Sequence, residues 1–233
     1  MIENKKHCTM ILLAGGSGRR MGTDTPKQFL EIKGKPVLLY SLLAIQESEI
    51  IDDCILVIRP EDENYIKELL RKNEITKVAS FAYAGGERYE SVWNGLQKTE
   101  CTSADYVYIH DGARPFVNET IIRNCYDGVE KHGACVAAVR AKDTVKIVAA
   151  DGEIINTPDR SAVWNMQTPQ TFRTDLICEA YRLVMSKKDM VITDDAQALE
   201  IAGLGRAYVV EGSYENIKVT TPEDLLIAEI FAN

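Results

Sequence analysis

Residues 11–22 read Ile-Leu-Leu-Ala-Gly-Gly-Ser-Gly-Arg-Arg-Met-Gly, an aliphatic run that passes directly into a turn with four glycines and two arginines. No other stretch constrains the fold as much. Such a run reads as a strand, and glycines lacking Cβ let successive backbone N–H groups close on phosphate oxygens. The turn is not a Walker loop, because no Gly-Lys-Ser/Thr follows. It also departs from the dinucleotide fingerprint G-x-G-x-x-G. Met21 stands where a third glycine after Gly16 and Gly18 belongs, and positions 36–42 hold no acid for a ribose. A tight strand-to-helix turn would explain two glycines. Four, with Arg19, Arg20 and the following Pro26-Lys27, favour phosphate binding.

The rest of the chain extends this start into an α/β pattern. Short apolar runs rich in β-branched residues at 9–14, 54–58, 106–109, 134–139 and 206–210 alternate with helical periodicity at 36–48, 61–72, 89–98, 118–131, 174–187 and 194–202. That rhythm predicts a Rossmann-like, mostly parallel sheet flanked by helices. A last helix is expected from Pro222 almost to Phe231, with Thr221 as its cap and Asp224 as the capping-box acid. Residues 143–160 break the alternation, because two extended runs flank Asp151-Gly152. This predicts a protruding β-hairpin arm, over about 141–160, inserted in one domain spanning 1–233. A two-stranded ribbon is marginal alone, so a second copy of the chain is expected to cover it.

Composition removes several classes of function. Of 233 residues, 45% are hydrophobic and 27% charged, which excludes disorder and fibrous repeats. No stretch approaches the roughly 18 uninterrupted apolar residues of a membrane span, and no export signal is visible. Six cysteines are scattered without a C-x-x-C pair, which fits a reducing cytoplasm rather than a zinc ribbon or disulfide scaffold. The three histidines show no ligand spacing, and both tryptophans read as packing groups. With a net charge of −8, a broad basic surface for nucleic acid or anionic lipid is not expected. Residues 19–35 nevertheless hold Arg19, Arg20, Lys27, Lys33 and Lys35 against Asp24 and Glu31. A positive spot on an acidic chain points to a small polyanion.

The stretch from Leu13 to Gly22 with Pro26-Lys27-Gln28 resembles the nucleotidyltransferases that activate sugar and polyol phosphates. Further stretches narrow the resemblance: Gly85-Gly86-Glu87-Arg88 with Ser91, His110-Asp111-Gly112-Ala113-Arg114-Pro115, Asp143-Thr144-Val145-Lys146, Gln167-Thr168-Pro169-Gln170, Thr193-Asp194-Asp195 and Asn216-Ile217-Lys218. In that order they are similar to the 2-C-methyl-D-erythritol 4-phosphate cytidylyltransferase family over nearly the whole chain. Two positions depart from many relatives, Ala84 in place of an acid and Tyr40 in place of a histidine.

The resemblance implies a cytoplasmic homodimeric enzyme that joins its arms across the pair. It would transfer CMP from CTP to 2-C-methyl-D-erythritol 4-phosphate with Mg²⁺, releasing pyrophosphate, in non-mevalonate isoprenoid precursor synthesis. It assigns Arg20, Lys27, Arg160 and Lys218 to catalysis. Nucleotide contacts fall on Ala14, Gly15, Gly16 and Gly18 of the first turn, and on Gly85, Gly86, Ser91 and Gly112. Asp111, Arg114, Thr144, Thr168 and Thr193 would meet the acceptor, with Thr144 and Arg160 completing the neighbour's site, and Asp111 would also bind the metal.

Physical chemistry agrees with that assignment. An anionic phosphomonoester must attack an anionic α-phosphate, so neutralisation and positioning dominate. Asp111 follows an apolar run and should emerge at the carboxyl end of a strand, where open α/β sheets bind ligands. Taken singly, the plainer roles stay open. Asp111 can serve a loop, Lys27 can be solvated, Ser91 can start a helix, and the threonines can be caps. Three other functions share the glycine turn: ribitol 5-phosphate cytidylyl transfer, an NAD-binding oxidoreductase, and a non-catalytic nucleotide binder.

Overall fold

The computed structural model describes residues 5–16, 26–99, 102–187 and 192–232. Its strands are β1 (Cys8–Leu13), β2 (Glu31–Ile32), β3 (Lys35–Pro36), β4 (Asp53–Ile58), β5 (Val78–Tyr83), β6 (Tyr106–Asp111), β7 (Ala134–Arg140), β8 (Ile147–Val148), β9 (Ile154–Asn156), β10 (Trp164–Arg173) and β11 (Tyr208–Glu211). Its helices are α1 (Val37–Glu47), α2 (Glu63–Lys72), α3 (Arg88–Leu96), α4 (Glu119–His132), α5 (Thr174–Met185), α6 (Asp195–Ala202) and α7 (Pro222–Phe231). Seven strands form one sheet in the order β11-β7-β10-β6-β1-β4-β5. Within that sheet every ladder is parallel except the two that β10 makes with β6 and β7.

β1 and β4 carry near-continuous apolar runs, 10–13 and 54–58, because helices cover both faces of the sheet. On β1, Met10 and Leu12 face a layer built with Leu38 and Leu42 of α1, Ile66 of α2 and Ile122 of α4. Ile11, between them, faces Val92 of α3, Tyr181 of α5 and Leu199 of α6. The helices begin and end where their caps say. The Asn118 side chain accepts from Ile121 N–H at the start of α4, and Gly133, at φ +78°, closes it. Thr221 and Asp224 form the expected capping box on α7.

The expected mostly parallel sheet and the arm are present. β8 and β9 pair antiparallel around Gly152, whose φ is +96°. Their apolar side chains face outward, with Ile155 65% exposed. The arm leaves the sheet after β7 and returns as β10, and its two roots, Arg140 and Trp164, are direct register partners.

Besides the short β2–β3 pair, two strands of the seven-stranded sheet escape the sequence reading. β5 carries Ala79, Ser80 and Ala82 on a sheet edge, so its alternation is faint. β10 contains Gln-Thr-Pro-Gln, which reads as a loop. Its register shifts between Met166 and Gln170, and this irregularity accommodates Pro169 inside the strand. Helix α2 also starts later than its periodicity suggests, because residues Pro60–Asp62 form a 3₁₀ turn.

Phe172, fully buried on β10, packs in the layer shared with α5. Phe172→Ala should lower the unfolding free energy by about 3–5 kcal/mol. A urea titration should show a lower midpoint with an unchanged slope. A loss below about 1 kcal/mol would mean that this strand does not anchor the second layer.

Candidate functional site

The carboxyl ends of β1, β5 and β6 open on one side of the sheet and frame a cleft of about 410 Å³. Gly15 and Gly16 follow β1, Gly85 and Gly86 follow β5, and Asp111 ends β6; all line the cleft with Lys27 and Lys218. Gly15 has to be small, since a Cβ there would lie 2.2 Å from Ala84 Cβ. Gly112 has to be small as well, because its Cβ would meet the Leu13 carbonyl oxygen at 2.8 Å. Gln28 Nε2 donates to Ala14 O at 2.8 Å, which ties the turn that presents Lys27 to the end of β1. Gly18 and Arg20 lie outside the described residues.

Ser91 sits in the first turns of α3. Its hydroxyl accepts from Gly85 N–H at 3.0 Å and donates to Glu87 O at 3.1 Å. That side chain therefore shapes the Gly85-Gly86 wall. Tyr40 lies apart from the cleft, with its hydroxyl donating to Ile32 O and its ring edge-on to Phe116. The departure at Tyr40 is thus remote from the site, whereas Ala84 directly abuts Gly15.

Alongside lies a second cleft of about 300 Å³, lined in part by Arg114, Thr168, Thr193 and Asp194. Arg88, Asp111 and Lys218 line both. Asp111 is the seam. Arg88 Nε meets its Oδ1 at 3.1 Å and Lys218 Nζ its Oδ2 at 2.7 Å. Burial alone would raise its pKa, but Arg88 and then Lys218 outweigh burial and hold the carboxyl well below the usual carboxylate range. It is a fixed anion between two cations.

Behind Asp111 runs a chain of hydrogen bonds. Asp111 N–H donates to Thr168 Oγ1 at 3.1 Å, and that hydroxyl lies 3.0 Å from His110 Nδ1. His110 Nε2 lies 3.1 Å from Arg114 O. Burial pushes the His110 pKa down to about 4, so the ring is neutral near pH 7. With Nε2 protonated toward the Arg114 carbonyl, Nδ1 accepts from Thr168. The Thr168 hydroxyl, expected at the acceptor, is thus engaged within the protein. Arg114 donates to Asn216 O at 2.8 Å, which joins the wall of the second cleft to the segment bearing Lys218.

Thr193 lines the second cleft, with its N–H and hydroxyl both donating to Gln197 Oε1. Thr144 and Arg160 stay on the exposed arm and line neither cleft, so a single chain does not bring them to the site. Sequence reasoning gave no role to Arg88, His110, Gln170 or Asp195. Each stood inside a quoted stretch, but nothing in its local pattern signalled a partner 23 to 107 positions away. Among the described residues no cluster of three or more His, Cys, Asp or Glu could hold a metal alone. A single ionised carboxylate lining a phosphate-sized cleft still fits a Mg²⁺ held mostly by substrate oxygens. Each Asp111 oxygen also keeps a lone pair beyond its cation contact.

A family model described as 2-C-methyl-D-erythritol 4-phosphate cytidylyltransferase matches residues 8–233. A curated protein of that name from Lachnospira eligens is 47% identical over 224 residues, covering 96% of this chain and 98% of the relative. One from Bacillus anthracis is 43% identical over 224 residues, 96% of each. A solved 4-diphosphocytidyl-2C-methyl-D-erythritol synthase from Anaerococcus prevotii superposes with a TM-score of 0.86 at 35% identity, covering 97% of this chain and 96% of its own.

The buried His110 also makes a stability prediction. Its folded pKa lies below the unfolded value near 6.5, so the unfolded chain binds the extra proton between about pH 6.5 and 4. Stability is therefore lost as pH falls through that window, by roughly 3 kcal/mol from this group. Compared with the wild type, His110→Gln should flatten the dependence of unfolding free energy on pH there. Parallel curves would exclude a neutral buried ring.

Proposed function

The chain belongs to the 2-C-methyl-D-erythritol 4-phosphate cytidylyltransferase family, and on that premise we propose how its cleft moves CMP from CTP to 2-C-methyl-D-erythritol 4-phosphate. An oxygen of the acceptor phosphate bonds to the α-phosphorus of CTP. The bond from that phosphorus to the bridging oxygen breaks, and pyrophosphate leaves with the electron pair. One observation carries this reading: Asp111 and Lys218 sit at the seam where a glycine-walled cleft meets a second, cation-lined one.

In this reading CTP lies along Ala14, Gly15, Gly16 and Gly18, with the cytosine toward Gly85, Gly86 and Ser91 and with Gly112 below. Arg20 and Lys27 neutralise the triphosphate as charge builds on the leaving group. Arg114, Thr193 and Lys218 hold the acceptor, while Thr168 keeps the strand end bearing Asp111 in place. Lys218 serves both substrates because it reaches the two clefts. Mg²⁺, held by Asp111 and substrate oxygens, would supply further charge neutralisation at the triphosphate. Thr144 and Arg160 belong to the acceptor site of a second copy, reached through the arm, whose outward isoleucines need cover. The reaction serves isoprenoid precursor synthesis, and the cytoplasm is its proposed compartment. No helix among the described residues is long and apolar enough to cross a membrane.

Pyrophosphate release measured with CTP, UTP and ATP against 2-C-methyl-D-erythritol 4-phosphate and ribitol 5-phosphate tests the chemistry. CTP with the methylerythritol phosphate should win by at least about 100-fold, a margin that even pocket shape can supply and that unpaired polar groups would widen. Preference for ribitol 5-phosphate would overturn the acceptor assignment. The arm is tested by mixing two inactive variants, Lys27→Ala and Arg160→Ala. Activity should appear in the mixture, because one mixed site regains both groups. A mixture no better than its parents would place Arg160 outside the neighbour's site.

A further inference from the structure

Asp195 is fully buried and lines neither cleft, yet it is gripped from three elements. Arg88 meets it with a two-pronged contact, NH1 to Oδ1 at 2.9 Å and NH2 to Oδ2 at 2.8 Å. Tyr181 of α5 donates its hydroxyl to Oδ1 at 2.6 Å. Gln170 Oε1 on β10 accepts from the backbone N–H groups of Asp195 and Ala196 at 3.0 and 2.9 Å. Asp195 opens α6 and Arg88 opens α3, so their contact locks the acceptor-side helix to the nucleotide-side helix.

The geometry points to Asp195 as a positioning residue, acting through Arg88 on Asp111. A guanidinium is planar, and fixing both terminal nitrogens on one carboxylate fixes the plane. With the plane fixed, Nε–H points to the other side and lies 3.1 Å from Asp111 Oδ1. Asp111 Oδ2 is thereby turned toward Lys218 at 2.7 Å. The order of dependence runs from buried Asp195 to Arg88, to Asp111, to Lys218. Stability alone is a poor reason for such a pair, since buried ion pairs are often replaced by apolar side chains at no loss. The inference rests on the placement of Asp111 at the reacting centre proposed above.

Asp195→Asn keeps the shape of the side chain, removes its charge and cannot touch substrate. It should lower kcat at saturating substrates by at least about tenfold, as misplacement of a reacting group does. The KM for CTP should stay within about threefold, because the glycine walls are untouched. Asp111→Asn, measured beside it, separates the two claims. Full turnover in Asp111→Asn would remove Asp111 from the centre and overturn the positioning role with it. Loss in Asp111→Asn with full turnover in Asp195→Asn would leave the centre standing and overturn the positioning role alone. The double variant Arg88→Met/Asp195→Leu distinguishes positioning from packing. Thermal unfolding near the wild-type midpoint with kcat still depressed is the expected result. Recovery of both would make the pair a packing device and overturn the inference.

Discussion

A carboxylate buried at the end of a central strand is tolerable only if positive charge is built around it. Asp111 sets that requirement here, and much of the site follows from it. Arg88 comes from the start of α3, Lys218 from the segment before α7, and each contributes a cation because the carboxylate between them stays ionised. The charges that neutralise Asp111 also line both clefts, where the proposed reaction places the substrate phosphates. Binding an anion would then exchange partners within a charged cluster already assembled, with little rearrangement.

Much of this architecture was legible in the sequence, and the reasons differ by element. The central strands could be read because burial on both faces forces continuous aliphatic runs such as Ile55-Leu56-Val57. Helix α7 was marked at its first turn by Thr221, Pro222 and Asp224. The arm was visible because Asp151-Gly152 separates two extended runs. β10 was hidden, since its residues serve two purposes at once. Gln170 and Thr168 are spent on Asp195 and His110, so the strand displays polar side chains that a local reading takes for a loop.

The site was legible in a more uneven way. Asp111 ends an apolar strand, and that position can be found by counting along the chain. Lys27, Asp111, Arg114 and Lys218, singled out by the family resemblance, all line one cleft or the other. Arg88 and Asp195 hold the arrangement from behind, and only the folded topology brings them together across 107 positions. Their meaning lies in a contact, which no stretch of sequence contains. Ser91 and Thr168 show the reverse case, residues singled out as ligand contacts whose hydroxyls already serve the walls.

The two roots of the arm, Arg140 and Trp164, are neighbours in the sheet register. The intervening residues therefore form a closed excursion whose neck is one strand spacing wide, about 4.8 Å. Such a neck lets the protrusion lengthen, shorten or change its contact surface while the ladders beneath it keep their alignment. The fold thus separates two kinds of inheritance: a fixed reaction chamber, and an appendage that can be retailored to whatever it meets.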